Sequence, residues 1–500
     1  MRSDQTKGTC YLVGAGPGDL GLFTLKAKEL IQKADVIIYD YLANPKALTW
    51  AGRHAELIYV GKKAKEHTLK QDEINHLVVE KTRLGKCVVR LKGGDPYIFG
   101  RGGEEAEALK AANLSFEVVP GITAAAAATA YSGIPLSHRE HTTCITFITG
   151  HEDPTKDRSM VNWRALVETG ATLAIYMGMG RLSIIVEQLV QSGMSPEMSV
   201  GVIQWGSTPK QRSAVGTLST IVDVVRQSGL GAPSIIIVGT VVEMQQQLRW
   251  FEDKSLLGQR MVVTRTRKQS SRMAALLAER GADVMELPTI RVEPIIQERN
   301  WLSKVNEIDW LVFTSPNAVD FFFEFFVKEH DIRKLVSVKI ATVGPATAER
   351  VRAHHLKIDL QPKVYTAQGL VNEWKDQGAK ILFPCSNLAK RDLEEGLKAK
   401  GSEVKRVEIY QTVPETQDLG GTRERLCREG ADWVIFSSSS AVENFHKLDL
   451  SYPNESCRYA SLGPVTSQSM KKLGYSVDLE ASESTIDRLV AEIEEANLRK

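Results

Sequence analysis

The sequence predicts an α/β protein with largely parallel sheets, and two observations support this prediction. In the first half, apolar strand patterns such as Ala34–Asp40 alternate with amphipathic helical patterns such as Thr24–Lys33. In the second half, the segment that starts at Met261 aligns with the segment that starts at Ile381, 120 residues later. This period is too long for a solenoid unit, so it predicts two similar α/β lobes with a cleft between them.

The elements follow one another in chain order. The first strand pattern, CYLVGAG, starts at Cys10 and precedes the helical pattern. The polar segment Glu243–Arg260 marks a boundary, because a fresh strand–helix series begins directly after it. The repeat in the second half also matches Trp310 with Trp433 and Gly344 with Gly463. Further strands of the first half are predicted at Ala34–Asp40, Val88–Leu91, Phe116–Val119, Thr143–Thr149, Thr172–Tyr176 and Ser234–Val238.

Composition excludes several classes of protein. A chain of 500 residues should hold about three or four domains. The 63 basic and 61 acidic residues nearly cancel, so neither nucleic acid nor an anionic membrane is an expected partner. Six cysteines without a CxxC pair are typical of a reducing compartment, and there is neither an apolar leader nor a spanning segment, so we expect a soluble cytoplasmic protein. No metal is expected, although His138, His141 and His151 form the nearest candidate cluster.

A glycine-rich turn, VGAGPGD, ends at Asp19 and joins the first strand to the first helix. Glycines allow a ligand to approach the backbone, and a helix start favours anionic groups. The dinucleotide fingerprint needs glycine where Asp19 stands, yet Asp40 after the second strand imitates the ribose-binding acid of that fold. A nicotinamide site and a tight turn without a ligand therefore remain alternatives.

Two further loops follow strands. Gly93, Gly94 and Asp95 come directly after Val88–Leu91, at the edge of a parallel sheet where ligands bind, and the carboxylate there could accept hydrogen bonds from ribose hydroxyls. Thr123 follows a Pro-Gly turn as a candidate N-cap of the next helix. The alanines of that helix indicate close packing more than room for a flat ligand. The helix after GGDP carries glutamates in its first turn, which we interpret as partners of the helix dipole rather than catalysts: Glu104 and Glu105.

Together these motifs resemble those of a known family. YLVGAGPGDLGLFTLKAKELIQKADVIIYDYL, VRLKGGDPYIFGRGGEEA, VVPGITAAAAATAYSGIPLSHR, AIYMGMG and the QR before AVGTL strongly resemble uroporphyrinogen-III C-methyltransferase, from Thr9 to about Val242. The second half, Gly258–Lys500, is similar to uroporphyrinogen-III synthase through FTSPNAV, the paired GP turns, KRDLEEGLKAKG and STIDRLV. The resemblance implies a tetrapyrrole methylase fold of two α/β lobes, followed by a bilobal synthase of two similar parallel-sheet α/β lobes.

The resemblance also implies domain boundaries. The methyltransferase should occupy residues 1–248, a linker 249–257 and the synthase 258–500. Lobe one of the synthase should combine residues 258–292 with 415–500, and lobe two, inserted within it, should span 295–412. A two-stranded connection is expected near 292–294 and 413–414.

In the methyltransferase half, the resemblance assigns Asp40 as proton acceptor and Lys62 of GKK as proton donor or substrate anchor. A carboxylate that only caps the following loop is the alternative for Asp40. Trp205 departs from the family pattern by adding bulk beside one cofactor position. Lys62, Arg101 and Arg139 become candidate partners of the substrate's carboxylates. The positions implied to bind S-adenosylmethionine are Pro17, Gly93, Gly94, Asp95, Ile98, Thr123, Ala124, Met177 and Gly206.

The synthase half has weaker site evidence. Tyr410 matches the family tyrosine that assists loss of the substrate's hydroxyl, and a buried tyrosine with an ordinary hydrogen bond is the alternative. Several groups could bind carboxylates or only cap helices: the hydroxyls of Thr314, Ser315 and Ser437–Ser440, and the N–H groups after Gly344 and Gly463.

The resemblance implies two successive reactions on tetrapyrroles. Hydroxymethylbilane would be closed to uroporphyrinogen III, which two methyl groups from S-adenosylmethionine would convert to precorrin-2, the precursor of sirohaem and cobalamin. A homodimer through the methyltransferase half is a family-level expectation. Two alternatives remain: a methylase of a later corrin precursor, and a second half that binds or senses tetrapyrroles without turnover.

Overall fold

The computed structural model describes residues 8–52, 54–61, 69–151, 160–264, 267–287, 289–295, 301–302, 305–415, 418, 421–453 and 455–498. Within these ranges the chain forms four five-stranded sheets. The first two sheets come from the first half of the chain and the other two from the second half. Helices pack against the sheets, so the α/β prediction is confirmed.

The first sheet is parallel, with strand order β3-β2-β4-β1-β5. Its first helix begins after Thr24, whose hydroxyl accepts a hydrogen bond from Ala27 N at 3.1 Å, and it buries Ala27 and Ile31 against the sheet. The strands are β1 Thr9–Gly14, β2 Val36–Tyr39, β3 Glu56–Tyr59, β4 Cys87–Lys92 and β5 Ser115–Val119. The helices are α1 Leu25–Lys33, α2 Gln71–Arg83, α3 Gly102–Ala111 and α4 Ala124–Ser132.

The second sheet is mixed, an exception among sheets that are otherwise mostly parallel, as predicted. Its strands are β6 Ile145–Thr149, β7 Thr172–Tyr176, β8 Ser199–Gln204, β9 Arg212–Thr217 and β10 Ser234–Val238, in the order β6-β7-β10-β8-β9. Strands β6 and β7 are parallel, whereas β10 runs antiparallel to β7 and β8, and β9 antiparallel to β8. The short turn between β8 and β9 leaves room only for a hairpin. The helices are α5 Trp163–Glu168, α6 Leu182–Gln191, α7 Ile221–Ser228 and α8 Gln245–Leu248.

The second half continues the strand–helix alternation. Its strands are β11 Arg260–Val263, β12 Asp283–Glu286, β13 Ile290–Pro294, β14 Trp310–Phe313, β15 Lys339–Thr342, β16 Lys380–Ser386, β17 Glu403–Pro414, β18 Trp433–Phe436, β19 Arg458–Ser461 and β20 Leu479–Glu480. Its helices are α9 Arg267–Glu279, α10 Pro316–Glu329, α11 Pro345–Arg352, α12 Ala367–Glu373, α13 Asp392–Ala399, α14 Thr422–Glu429, α15 Ser439–Lys447, α16 Pro464–Lys472 and α17 Ile486–Leu498.

Two sheets share these strands. The third sheet, β12-β11-β18-β19-β20, is parallel and draws on both ends of this half. The fourth sheet, β13-β17-β16-β14-β15, is parallel except for the antiparallel pair of β13 and β17. Each sheet has its own apolar core, and the core of the fourth is rich in aromatic side chains from α10, including Phe322, Phe323 and Phe326. No helix in the described ranges has the length and apolar character that crossing a membrane requires.

Candidate active site

Three loops meet backbone to backbone at the carboxyl ends of β1, β4 and β5. Gly94 N donates to Gly16 O at 2.7 Å, and Gly16 N donates to Gly94 O at 3.2 Å. A Cβ on Gly121 would lie 2.3 Å from Gly94 O, and a Cβ on Gly14 would lie 2.5 Å from Gly121 N. Side chains therefore cannot be accommodated here. Such a bare backbone edge lets a ligand approach main-chain polar groups closely.

Asp95 ties two of these loops together. Its Oδ2 accepts a hydrogen bond from Gly121 N at 3.0 Å, and its Oδ1 accepts one from Tyr97 N at 2.8 Å. A carboxylate offers about four acceptor sites, so two remain for a ligand. The side chain can thus hold the loop and also accept a hydroxyl hydrogen bond.

Thr123 stands at the N-cap position of α4, but its side chain does not cap the helix. Its hydroxyl instead lies 2.6 Å from the hydroxyl of Tyr176 on β7, which in turn accepts a hydrogen bond from Ala125 N at 3.1 Å. The N-cap expectation is therefore wrong for the side chain, because a tyrosine of the second sheet satisfies the helix N–H. Burial raises the pKa of Tyr176, so its hydroxyl stays protonated.

The remaining predicted cofactor positions surround this junction of the two sheets. Met177 follows Tyr176 with a φ of +54° and a side chain that is 52% exposed. A Cβ on Gly206 would lie 2.5 Å from the Cβ of Ala128, so the β8–β9 turn touches α4. The ring of Trp205 contacts the ring of Tyr41, with centroids 5.7 Å apart. Of the other positions, Ala124 begins α4 beside Gly94, Ile98 packs in the cluster of Tyr176, Pro17 is half-buried between Gly16 and Gly18, and Gly93 lies against Leu42.

Asp40 caps the loop that follows it, and its carboxylate also stays accessible, so neither of the two sequence interpretations is excluded. Its Oδ1 accepts a hydrogen bond from Leu42 N at 3.2 Å, which is the loop cap. Its Oδ2 accepts one from the guanidinium of Arg90 at 3.2 Å, and 26% of the side chain is exposed. The carboxylate is therefore fixed in orientation, next to a cation, and still accessible. Lys62, its predicted partner in proton handling, lies outside the described residues.

Behind Asp40 lies a buried charge network that the sequence interpretation missed. Glu105 is fully buried, and its Oε1 accepts hydrogen bonds from Arg90 Nε at 3.1 Å and from Lys92 Nζ at 2.8 Å. Burial, with the nearby charge of Arg90 second, lowers the pKa of Lys92. Glu105 lies in the first turn of α3, as predicted, and it is also the counter-ion of two cations on β4, a role that the sequence interpretation did not include. The sequence feature that indicates this network is the buried strand VVRLKGG, because its two cations require a carboxylate nearby.

The neighbouring Glu104 also lies in the first turn of α3, as predicted. Glu104 is about half exposed and forms an ion pair with Arg101 at 2.6 Å. That pairing occupies the guanidinium of Arg101, which was a candidate partner of substrate carboxylates. Arg139 is exposed.

Substituting each of these two glutamates should separate their contributions to stability. Glu105→Ala leaves Arg90 and Lys92 buried without their shared counter-ion, so we expect a loss of about 3–5 kcal/mol in the free energy of unfolding. Glu104→Ala removes an exposed pair and should cost less than about 1 kcal/mol. Urea denaturation followed by circular dichroism measures both. Equal losses for the two variants would contradict the counter-ion role of Glu105.

In the second half, Tyr410 lies where three elements of the fourth sheet meet. Its hydroxyl is 2.9 Å from Ser315 Oγ at the start of α10, and Tyr410 pairs with Pro294 of β13 and Ser386 of β16. Its ring stacks on Phe321, and the residue is 6% exposed. Burial raises the pKa of the Tyr410 hydroxyl. The protonated hydroxyl is thus held in place beside Ser386, at the carboxyl end of β16.

Two of the predicted hydroxyls cap helices. Ser315 Oγ accepts a hydrogen bond from Ala318 N at 3.1 Å, and Ser438 Oγ accepts one from Ala441 N at 3.3 Å. Gly344 and Gly463 stand at the N-caps of α11 and α16, where neither provides a side-chain cap. Among the described residues, no group of three or more histidine, cysteine or acidic side chains is placed to hold a metal ion.

Two family models match this chain, one in each half. Residues 9–222 match the model for tetrapyrrole (corrin/porphyrin) methylases, and residues 271–491 match the model for uroporphyrinogen-III synthase HemD. The porphyrin biosynthesis protein HemD of Ruminiclostridium josui is 35% identical over 492 residues, which cover 97% of each chain. The uroporphyrinogen-III C-methyltransferase of Bacillus subtilis is 42% identical over 356 residues, covering 71% of this chain and 74% of the relative.

A third relative matches the first half alone. The S-adenosyl-L-methionine-dependent uroporphyrinogen III methyltransferase of Methanosarcina barkeri is 51% identical over 241 residues, covering 48% of this chain and 94% of the relative. Fold, site and matches together define a two-enzyme protein of tetrapyrrole synthesis, in which a methylase precedes a synthase. The chain belongs to the family of fused uroporphyrinogen-III C-methyltransferase and uroporphyrinogen-III synthase proteins. The predicted fusion is therefore confirmed, as is S-adenosylmethionine as its methyl donor.

Proposed function

We propose that one chain catalyses two successive steps of tetrapyrrole synthesis. The second half closes hydroxymethylbilane to uroporphyrinogen III, and the first half methylates this product twice to give precorrin-2. The observation that supports this most strongly is the relative that matches 97% of the chain, with a methylase model and a synthase model on separate halves. The names of the relatives support uroporphyrinogen, rather than a later corrin precursor, as the methyl acceptor.

The glycine edge fits a methyl donor that carries a nucleoside and an amino-acid tail. A Cβ at Gly14 or Gly121 would clash with the backbone of a neighbouring loop, so only glycine lets these loops pack together at the sheet edge. Asp95 offers free acceptor sites to hydroxyls, and the exposed Met177 offers an apolar surface. When bound, S-adenosylmethionine supplies an electrophilic methyl group. The chain's own task is then to orient the two substrates and to manage a proton.

Asp40 is proposed to receive the proton that the macrocycle loses on methylation. The contact with Arg90 holds Oδ2, and the N–H of Leu42 holds Oδ1, so the carboxylate is oriented before substrate arrives. Arg90 is itself held by Glu105, which keeps the cation in place without burying an unbalanced charge. Lys62 stays the predicted proton donor or substrate anchor.

The test of both activities is an anaerobic incubation of the protein with hydroxymethylbilane and S-adenosylmethionine. A type III macrocycle heavier by two methyl groups is the expected product. Unmethylated type III product would contradict the methylase assignment. The spontaneous type I isomer alone would show that the second half is not a synthase, and tetrapyrrole binding without turnover would support the binding-module alternative.

Tyr410 is proposed to donate a hydrogen bond or proton to the departing hydroxyl of hydroxymethylbilane. Tyr410→Phe removes this hydroxyl and keeps the ring against Phe321, so we expect synthase turnover to fall by about tenfold or more. Because burial raises the pKa of Tyr410 above its usual value, the proton is retained as pH rises, and turnover should not decline through loss of this proton below pH 10. The exposed Tyr365→Phe is the matched control. Wild-type turnover in Tyr410→Phe would contradict this role. It would support the alternative, a buried tyrosine with an ordinary hydrogen bond.

Three features stay predictions. These are the domain boundaries at 248, 258, 292 and 415, the homodimer through the first half, and the cytoplasmic location. The sheets support the discontinuous lobe one, since β11 and β12 share a sheet with β18, β19 and β20. Size-exclusion chromatography coupled to light scattering measures the oligomeric state.

A further inference from the structure

We infer that the synthase half and the linker hold the glycine-rich turn VGAGPGD of the methylase half in place at Gly18 and Asp19. This turn, which ends at Asp19, is called the donor loop below. Donor affinity in the first half would then depend on contacts made by the second. This inference rests on the proposed donor site, because Gly18 and Asp19 flank the cofactor position Pro17. Three separate sets of contacts converge on this dipeptide.

The first set runs through the segment between the two halves, which is packed rather than free. Tyr131 OH donates to Asp19 Oδ2 at 2.7 Å, and its ring contacts Trp250 and Phe251 at centroid distances of 5.1 and 4.8 Å. Trp250 Nε1 donates to Ala130 O at 3.0 Å. These aromatic side chains therefore clamp the end of α4 and, through Tyr131, the donor loop.

The same segment is anchored at its other end in the third sheet. Ser255 Oγ donates to Glu494 Oε1 at 2.5 Å, and Ser255 O accepts a hydrogen bond from Asn497 at 3.0 Å. Leu256 is fully buried in the core of that sheet. A chain segment fixed at both ends transmits position between the two halves, unlike a flexible tether.

The second set runs from Gly18 through Asn44 and Lys46 to β12. Asn44 Nδ2 donates to Gly18 O at 2.6 Å, and Asn44 Oδ1 accepts from Lys46 N at 3.0 Å. Lys46 Nζ donates to Val284 O at 2.6 Å. Burial at this contact lowers the pKa of Lys46, against the opposing effect of Asp283. The loop that carries Asp40 is thus fastened to the synthase half four residues beyond Leu42.

The third set runs through the β8–β9 turn. Asp19 N donates to Ser207 Oγ at 3.4 Å, and Ser207 N donates to Gln211 Oε1 at 2.8 Å. Gln211 Nε2 donates to Glu252 Oε1 of the linker at 2.9 Å. In the same turn, Lys210 Nζ contacts Glu429 Oε2 of α14 at 3.2 Å. The turn is therefore linked to the donor loop on one side and to the linker and synthase half on the other.

Two conservative variants of the full-length protein test the inference, with S-adenosylhomocysteine as the calorimetric probe. Tyr131→Phe removes one hydroxyl, and Lys46→Met removes one ammonium group. Each should raise the dissociation constant about threefold to tenfold, the usual effect of losing one hydrogen bond. The methylation rate at saturating donor should change less than twofold, so the effect falls on KM and not on kcat. Lys46→Arg should restore affinity, because its guanidinium can still reach a carbonyl.

Matched controls separate this effect from general destabilisation. The exposed Lys110→Met and Tyr365→Phe should leave the dissociation constant unchanged. Synthase turnover should stay at the wild-type level in every variant, which reports that the second half is folded. Unchanged donor affinity in both Tyr131→Phe and Lys46→Met would overturn the inference.

The failure of the inference is distinguishable from failure of the proposed donor site. Gly93→Val serves as the reference, since it alters the proposed site itself. If Gly93→Val abolishes probe binding while Tyr131→Phe and Lys46→Met do not weaken it, the donor site stands and the coupling is wrong. If Gly93→Val binds the probe normally, the proposed donor site is wrong.

Discussion

Asp40→Ala should lower methylation of uroporphyrinogen III by about a hundredfold to ten-thousandfold, the usual contribution of a positioned general base. In the proposed mechanism only the acceptor side of the reaction uses this carboxylate, so the dissociation constant of S-adenosylhomocysteine should change less than about twofold. The substitution also leaves Arg90 paired with Glu105, so the buried network keeps a counter-ion. Single-turnover methylation assays and calorimetry measure the two quantities separately.

The same chain contains the control for this variant. Asp40→Ala should still convert hydroxymethylbilane to the type III isomer at the wild-type rate, because Tyr410 and its surroundings lie in the other half. Asp223→Ala, which removes an exposed carboxylate on α7, should leave methylation unchanged. Parallel losses of methylation and of donor binding in Asp40→Ala would assign its carboxylate to loop structure, through Leu42 N, and not to proton transfer.

Gly93→Val should abolish measurable donor binding. A Cβ at this position would lie 2.5 Å from the Cβ of Leu42, closer than real contacts allow, and 3.2 Å from its carbonyl group, which is a tight contact. The valine must therefore displace the loop from Asp40 to Asn44, which also contacts Gly18. Calorimetry with S-adenosylhomocysteine should show no heat of binding at concentrations that saturate the wild type.

Gly103→Ala is the matched control for this glycine. A Cβ at Gly103 would meet nothing within 4 Å, and the residue lies in the first turn of α3, so donor binding should be unchanged. Synthase turnover in Gly93→Val reports whether the rest of the chain is folded. Ordinary donor affinity in a folded Gly93→Val protein would exclude the GGDP loop from the donor site.

Local patterns were sufficient to predict most of the fold. Strands of the first sheet read as apolar runs because both faces are buried, and the repeat indicated the two similar sheets of the second half. The second sheet was predicted less well. Strand direction is not encoded in hydrophobicity, and the hairpin of β8 and β9 contains no Asn-Gly or Asp-Gly turn that would have indicated it.

The part of the candidate site that is formed by loop backbone could be predicted from the sequence. Gly93, Gly94 and Asp95 follow a strand, so their place at the sheet edge is visible in the sequence. Side-chain partners from distant segments were not visible. Thr123 stands where a helix-capping residue is expected, but its hydroxyl pairs with that of Tyr176, 53 residues away. Glu105 resembles any acidic residue of a first helical turn until the fold buries it against Arg90 and Lys92.

One edge of the third sheet faces the methylase half. Lys46 and Leu256 meet this sheet near the amino ends of β12 and β11, whereas Ser438 and Gly463 follow the carboxyl ends of β18 and β19. Four-residue strands put about 13 Å of sheet between these edges. The contacts with the methylase half and the carboxyl ends of β18 and β19 therefore lie at opposite edges of the third sheet.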